Sequence, residues 1–313
     1  MTRIVAGDIG GTNIRLVLWE DGEVVRRERY ATTDFAQTGL GEAVRIFLDG
    51  TLHPDAAAFG IAGPVVGDRV IGTNLPFDVT VDEIRSKTLA LNVSLLNDLE
   101  ATAWGSLELE DHEWQTLVEG VPVVGAPVAV AALGTGFGAC QRLTVNGSNA
   151  VFAGEMGQGN FAACDEELLG VSAHLIRAGL EPSVEDVLSG PGLTRLHSIL
   201  TGSSDALEPA TILQLASEGN GPALRTVAAF VRALGHELRN ISVRFLARGG
   251  VCVGGGVIAG LLPFLTDGTF ERAFRGSRNA ADVVKAIPVR AALVNDMAIR
   301  GALLCARNEL GLS

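Results

Sequence analysis

The chain has 313 residues, enough for two domains, because single hydrophobic cores stop growing near roughly 250–300 residues. Hydrophobic residues make up 47% and charged residues 19%, which supplies a large core and excludes a largely disordered chain. The net charge of −12 argues against a nucleic-acid or anionic-membrane surface, which needs clustered Lys and Arg, and leaves small phosphorylated ligands held by backbone amides and a cation.

The first residues, Met1 to Asp8, meet a carboxylate too early for a secretory signal, and no segment approaches about 18 unbroken apolar residues, so a cytoplasmic address is expected. Residues 4–9 read as a buried strand, followed by a Gly10-Gly11 turn, a strand over 14–19, an Asp21-Gly22 turn and a third strand over 24–30. Two short apolar strands follow at 56–61 and 93–96, ending at Gly63-Pro64 and Asn97-Asp98, with a helix over 81–89 between them. The three-stranded plan then returns: a strand over 128–133, the turn Gly134-Thr135-Gly136, a strand over 137–145, the turn Asn146-Gly147 and a strand from 150 onward.

Further on, Val227, Val231, Leu234, Leu238, Ile241 and Phe245 mark one face of a long helix. Gly249-Gly250 is predicted to stop it, after which Val251-Cys252-Val253 forms a strand running into Gly254-Gly255-Gly256. A strand over 289–294 and a helix over 298–308 complete the chain. The duplicated plan predicts an α/β protein with two lobes: residues 1–108 joined by the terminal helix (about 297–313), and residues 109–296. Cys140, Cys164, Cys252 and Cys305 are scattered without a CxxC pair, so they read as reduced thiols and not as a zinc site or disulfide framework. The five histidines fall outside every motif.

The segment Gly7 to Arg15 places a carboxylate, Asp8, at a strand end, the glycines Gly10 and Gly11 in the turn, and Thr12 and Asn13 just beyond. Such a turn lets backbone N–H groups approach phosphates, while Asp8 suits Mg2+ held through its water shell. Gly134, Thr135 and Gly136 occupy the same place in the second copy. Two glycine turns gripping a triphosphate satisfy what phosphoryl transfer requires. Gly254, Gly255 and Gly256 open a helical segment after a strand and suit the base and ribose of a nucleotide.

These segments, with Gly60 to Val65, Thr73-Asn74, Leu96-Asn97-Asp98, Gly154-Glu155 and Val187 to Gly192, occur in an order that resembles bacterial glucokinases of the actin-like, hexokinase-type ATPase superfamily. The resemblance implies a two-lobed actin-like (ribonuclease H-like) fold with an interlobe cleft, ATP and Mg2+ as cosubstrates, a glucose substrate and a homodimer. It implies Asp98 as the catalytic base for the sugar 6-hydroxyl. It also implies sugar-binding roles for Asn74, Asn97, Glu155, Gln158 and Glu185, and nucleotide-binding roles for Asp8 and the glycine turns.

The chemistry of the residues agrees. An ordinary aspartate, with a pKa of about 3.9, accepts an alcohol proton late, so alignment and charge stabilisation supply most of the acceleration. Carboxylates such as Glu155 and Glu185 accept from vicinal hydroxyls and reject analogues that leave them unpaired. Structural alternatives exist: Asp98 as the N-cap of a helix over 99–107, Glu155 as a loop charge, and Glu185 as a first-turn charge of a helix begun by Pro182-Ser183.

The chain also departs from the family pattern. Gln158 stands where the family has histidine and Asn160 where it has aspartate, and Gln158 donates and accepts without titrating. That motivates a second reading, a kinase for another hexose or an amino sugar, and a third, a catalytically silent sugar sensor. The cysteine-rich zinc motif of a related repressor and kinase family is absent, and no helix-turn-helix extension precedes the first glycine turn, which weighs against a DNA-binding regulator.

Overall fold

A computed structural model describes residues 1–49, 53–71, 75–276 and 281–312. It divides into two compact units, Met1–Leu109 with Asp296–Ser313, and Glu110–Asn295. No described helix is long and apolar enough to cross a membrane.

The first unit opens with an antiparallel meander, β1 (Arg3–Ile9), β2 (Asn13–Glu20) and β3 (Glu23–Ala31). Asp21 (φ 44°) and Gly22 (φ 113°) form the two-residue turn, since left-handed backbone matches the twist of a hairpin. Helix α1 (Gly39–Phe47) leads to β4 (Ala56–Ile61). A small three-stranded sheet follows, made of β5 (Val65–Val66), β6 (Arg69–Val70) and β7 (Val79–Thr80). Then come α2 (Val81–Thr88), β8 (Asn92–Asn97) and α3 (Asp98–Gly105).

The main sheet runs β3-β2-β1-β4-β8, with β4 and β8 parallel to β1. Every residue of β4 is buried, as befits a central parallel strand covered on both faces. Alternation along the strands sends Val5, Ile9 and Phe59 to a cluster with Leu40, Val44 and Phe47 of α1. Ile4, Ala6 and Ala58 point the other way, toward Ala101 of α3 and Ala302 of the C-terminal helix, Met297–Glu309. Those two helices approach so closely that a Cβ on Gly105 would lie 1.8 Å from the Met297 carbonyl oxygen, and one on Gly301 would lie 1.8 Å from that of Ala101.

The second unit contains β9 (Trp114–Val118), β10 (Val128–Leu133), β11 (Phe137–Val145), β12 (Ser148–Phe152), β13 (Gly250–Gly254) and β14 (Val289–Ala292). Its sheet runs β12-β11-β10-β13-β14-β9, so its first five strands repeat the pattern of the first unit. The duplication expected from the two meanders is therefore a duplication of whole sheets. Strand β9 is an antiparallel addition at the far edge that local pattern did not reveal.

The helices of this unit are α4 (Glu166–Arg177), α5 (Val184–Val187), α6 (Gly190–Thr201), α7 (Pro209–Ser217), α8 (Gly221–Phe245), α9 (Gly256–Leu265), α10 (Thr269–Arg275) and α11 (Ala281–Val284). The apolar stripe of α8, including Val227, Leu234, Leu238 and Ile241, packs in one cluster with Ala129, Ala131, Val251 and Val253 of the sheet. Helix α8 stops earlier than its sequence suggested. Leu246 adopts the left-handed conformation (φ 50°) and the Ala247 N–H donates to the Ser242 carbonyl at 2.9 Å, a C-terminal motif sealed by the buried Ala247. Gly250 (φ 120°) instead opens β13.

Candidate active site

In the first unit the parallel register brings two acidic positions to one sheet edge. Asp8 lies beside Gly60 and Gly60 beside Leu96, while the next row joins Ile9, Ile61 and Asn97. Asp98 follows at once as the first residue of α3. The hairpin between β1 and β2 sets Arg15 opposite Asp8, with Nη2 3.3 Å from Oδ2. The Asp8 side chain keeps 19% exposure, and burial pushes its pKa up while the guanidinium pulls it back.

The turn between these strands is braced by its neighbours. The Gly10 N–H donates to the Asn13 carbonyl at 2.9 Å, and Thr32 donates through Oγ1 to the Gly10 carbonyl at 2.7 Å and through its N–H to the Thr12 carbonyl at 3.0 Å. Arg29 Nε donates to Asn13 Oδ1 at 2.9 Å. Gly11 and Thr12 remain exposed at the tip.

The start of α3 corrects one alternative for Asp98. Its cap is Asn97, whose Oδ1 accepts from the Leu99 and Glu100 N–H groups at 3.0 and 3.4 Å and whose Nδ2 donates to the Gly63 carbonyl at 3.0 Å. Asn97 has the extended backbone (φ −62°, ψ 146°) that a cap requires, whereas Asp98 is already helical. The Asp98 carboxylate is half-buried and accepts from the Leu99 N–H at 2.8 Å. Asn74 lies outside the described residues.

In the second unit, Gly134, Thr135 and Gly136 follow β10, and Gly254 ends the adjacent parallel strand β13 in register with Ala132. Gly255 caps α9, and Gly256 is its first residue. Both glycine runs therefore sit at the same end of one sheet, where backbone amides and a helix start lie together.

Glu155, Gln158 and Glu185 converge beside the first of these turns. Glu155 is exposed and its backbone bridges to Ala139; Met156 to Gln158 form one 3-10 turn, and Asn160 bridges to Ser183. Ser183 caps α5 through a reciprocal pair with Asp186, as the sequence anticipated for a helix begun there. Glu185 does more than charge that helix. Its Oε2 accepts from the Phe137 N–H at 2.9 Å and its Oε1 accepts from Gln158 Nε2 at 3.3 Å.

Several supporting groups escaped the sequence reading. Arg15 was legible in principle, because the Ile9–Ile14 closure of the hairpin fixes position 15 opposite position 8. Thr32 and the Gly190 N–H, which donates to the Gly134 carbonyl at 2.8 Å, carry no local signal.

No group of three or more His, Cys, Asp or Glu among the described residues is arranged to hold a metal ion. Mg2+ nonetheless fits the single carboxylate of Asp8, because it keeps several waters and is held in kinases by one or two carboxylates plus substrate phosphates.

A family model described as "Glucokinase" matches residues 5–309. The chain belongs to the glucokinase family. A glucokinase of Caulobacter vibrioides is 30% identical over 318 residues, spanning 97% of this chain and 95% of that one. A crystal structure of a glucokinase from an Antarctic psychrotroph superposes with a TM-score of 0.86 at 25% identity, covering 98% of this chain and 99% of that one. A ROK-family glucokinase from Streptomyces griseus, in complex with glucose and AMPPNP, shares the fold with a TM-score of 0.67 at 21% identity over 98% of this chain and 99% of that one. The fold of this chain is that of the actin-like two-domain ATPases.

Proposed function

We propose that the protein transfers the γ-phosphoryl group of ATP to the 6-hydroxyl of glucose, giving ADP and glucose 6-phosphate. Membership of the glucokinase family makes it a sugar kinase, an ATP:hexose phosphotransferase. The AMPPNP and glucose held by the Streptomyces relative support ATP and a sugar as the substrates.

The observation that supports the catalytic assignment is the capping of α3 by Asn97, which makes Asp98 the first helical residue and not the cap, its carboxylate half-buried and sharing the Leu99 N–H with Asn97. In this reading Asp98 orients the 6-hydroxyl and takes its proton as the oxygen–phosphorus bond forms and the β–γ bridge breaks toward ADP. Asn97, Glu155, Gln158 and Glu185 hold the sugar, with Asn74 assigned to it by resemblance. Asp8, Gly10 to Asn13, Gly134 to Gly136 and Gly254 to Gly256 hold the nucleotide. Bound Mg2+, carried by Asp8 through water, supplies neutralising charge on the phosphates.

The same reading places the protein in the cytoplasm, at the entry of glucose into glycolysis, as a homodimer. The family resemblance supports the dimer, and light scattering on the purified chain reads it directly.

The test is ADP release across glucose, mannose, fructose, galactose and N-acetylated sugars, with and without EDTA. Glucose is expected to give the highest kcat/KM, and EDTA to abolish turnover. Another sugar in first place would move the assignment to the reading that Gln158 and Asn160 motivate, and sugar binding without ADP release from any sugar would leave a sensor.

A further inference from the structure

Both ends of the Gly134–Gly136 turn are tied to one short segment of chain. At one end the Gly134 carbonyl accepts from the Gly190 N–H at 2.8 Å. At the other end the Phe137 N–H donates to Glu185 Oε2 at 2.9 Å. The carboxylate also packs against the turn itself, because a Cβ on Gly136 would lie 2.4 Å from Oε2.

The turn that carries Glu155 and Gln158 is seated against the same residue. A Cβ on Gly157 would lie 1.9 Å from the Phe137 carbonyl oxygen, so only glycine permits this approach. The second oxygen of Glu185 receives the Gln158 amide at 3.3 Å, at the long end of the hydrogen-bond range. A carboxylate offers about four acceptor positions, and these two bonds leave capacity for sugar hydroxyls.

We propose that Glu185 is a positioning residue that couples the two substrates: its carboxylate joins the sugar-holding turn to the phosphate-holding turn, so that hexose and nucleotide each tighten the binding of the other. The proposal rests on the sugar-kinase reading above. A hydroxyl that donates to Oε1 fixes the side chain, and the fixed side chain holds the Phe137 N–H and with it the glycine turn. A nucleotide arriving second then orders less of the protein, and linkage makes the effect reciprocal.

The experiment is calorimetric titration with AMPPNP, which does not turn over, in the absence and presence of saturating glucose, and the converse titration. The wild-type protein is expected to bind each ligand at least about 5-fold more tightly when the other is present, by the same factor both ways. Glu185→Gln replaces the charged acceptor of the Phe137 N–H by a neutral one and turns an NH2 group, which accepts nothing, toward Gln158 and the sugar, so its factor is expected to fall below about 2-fold while both ligands still bind. A merely structural role would weaken each affinity and leave the factor unchanged.

Should that variant misfold, Gly136→Ala displaces the carboxylate from the opposite side and is expected to lose the coupling in the same way. A wild-type factor within about 2-fold of unity, or a wild-type factor retained in Glu185→Gln, overturns the proposal. ADP release from glucose without coupling would refute the coupling alone, whereas no ADP release from any sugar would remove the kinase reading and this inference with it.

Discussion

The two units build the same five-stranded order, β3-β2-β1-β4-β8 and β12-β11-β10-β13-β14, and then equip equivalent strand ends differently. In the first unit acids accompany the strand ends: Asp8 is the penultimate residue of β1, ahead of the Gly10-Gly11 turn, and Asp98 follows β8. In the second, Gly134 follows β10, the counterpart of β1, with no acid at the strand end, and Gly254 ends β13, the counterpart of β4; the nearby acid comes from elsewhere, through Glu185 of α5. A repeated backbone thus supplies position, and the residues that follow each strand decide whether an edge offers side-chain charge or bare backbone amides. The bracing differs too. The first turn is tied by Thr32 from the end of its own meander, 22 residues from Gly10, while the second is tied across 48 residues by Glu185.

The sharpest way to break this division of labour is Asp98→Ala. Loss of a positioned base is expected to lower kcat by about 10²–10⁴-fold with little change in sugar affinity, measured by ADP release and calorimetry. Because Asn97 caps α3 and also accepts from the Leu99 N–H that Asp98 shares, the melting temperature should fall only modestly, and near wild-type turnover would refute the assignment.

A smaller effect, on stability alone, is expected where the first unit packs α3 against the C-terminal helix. Gly301→Ala places a methyl group 1.8 Å from the Ala101 carbonyl oxygen and should cost about 1–3 kcal/mol, read from denaturant unfolding. If the variant is as stable as wild type, the contact between α3 and the C-terminal helix is not as close as described.

The smallest effect separates stability from function at Asp8. Burial raises the pKa of this acid in the folded state, so the native protein holds the proton more readily than the unfolded chain between the unfolded value of 3.8 and the folded one. Stability from this group is therefore greatest below the unfolded pKa and declines as pH rises through the folded value, leaving the ionised carboxylate a burden at neutral pH. Asp8→Asn is expected to raise the melting temperature slightly at pH 7, to lose that advantage near pH 3, and to lower turnover with ATP and Mg2+. An unchanged or lowered melting temperature at pH 7 would show that the ion pair with Arg15 outweighs desolvation.

Much of this architecture was legible locally. The strands over 56–61, 128–133 and 137–145 match β4, β10 and β11 to the residue, since runs such as Ala-Ala-Ala-Phe-Gly-Ile are apolar on both faces and end at glycine or a polar turn. The long helix was visible from its apolar spacing, but its end was not: Gly249-Gly250 carries the stronger stop signal, and Leu246 takes the left-handed position because Ala247 is buried behind it. Similarly, Asn97 and Asp98 are adjacent residues with nearly equal preference for a cap, and only the backbone bend at the end of β8, with the Gly63 carbonyl waiting for the Asn97 amide, chooses between them.

What the sequence determined by itself was whatever a window of a few residues encodes: apolar alternation, helical stripes, glycine turns and an ordered set of motifs that identifies a family. Tertiary structure alone decided that β9 joins β14, that Gly190 and Glu185 hold the two ends of the Gly134–Gly136 turn, and that Gln158 leans on the same carboxylate. The physical reason is that those contacts join segments whose own periodicities are satisfied without them, so the partners become known only when packing of the strands brings their ends together.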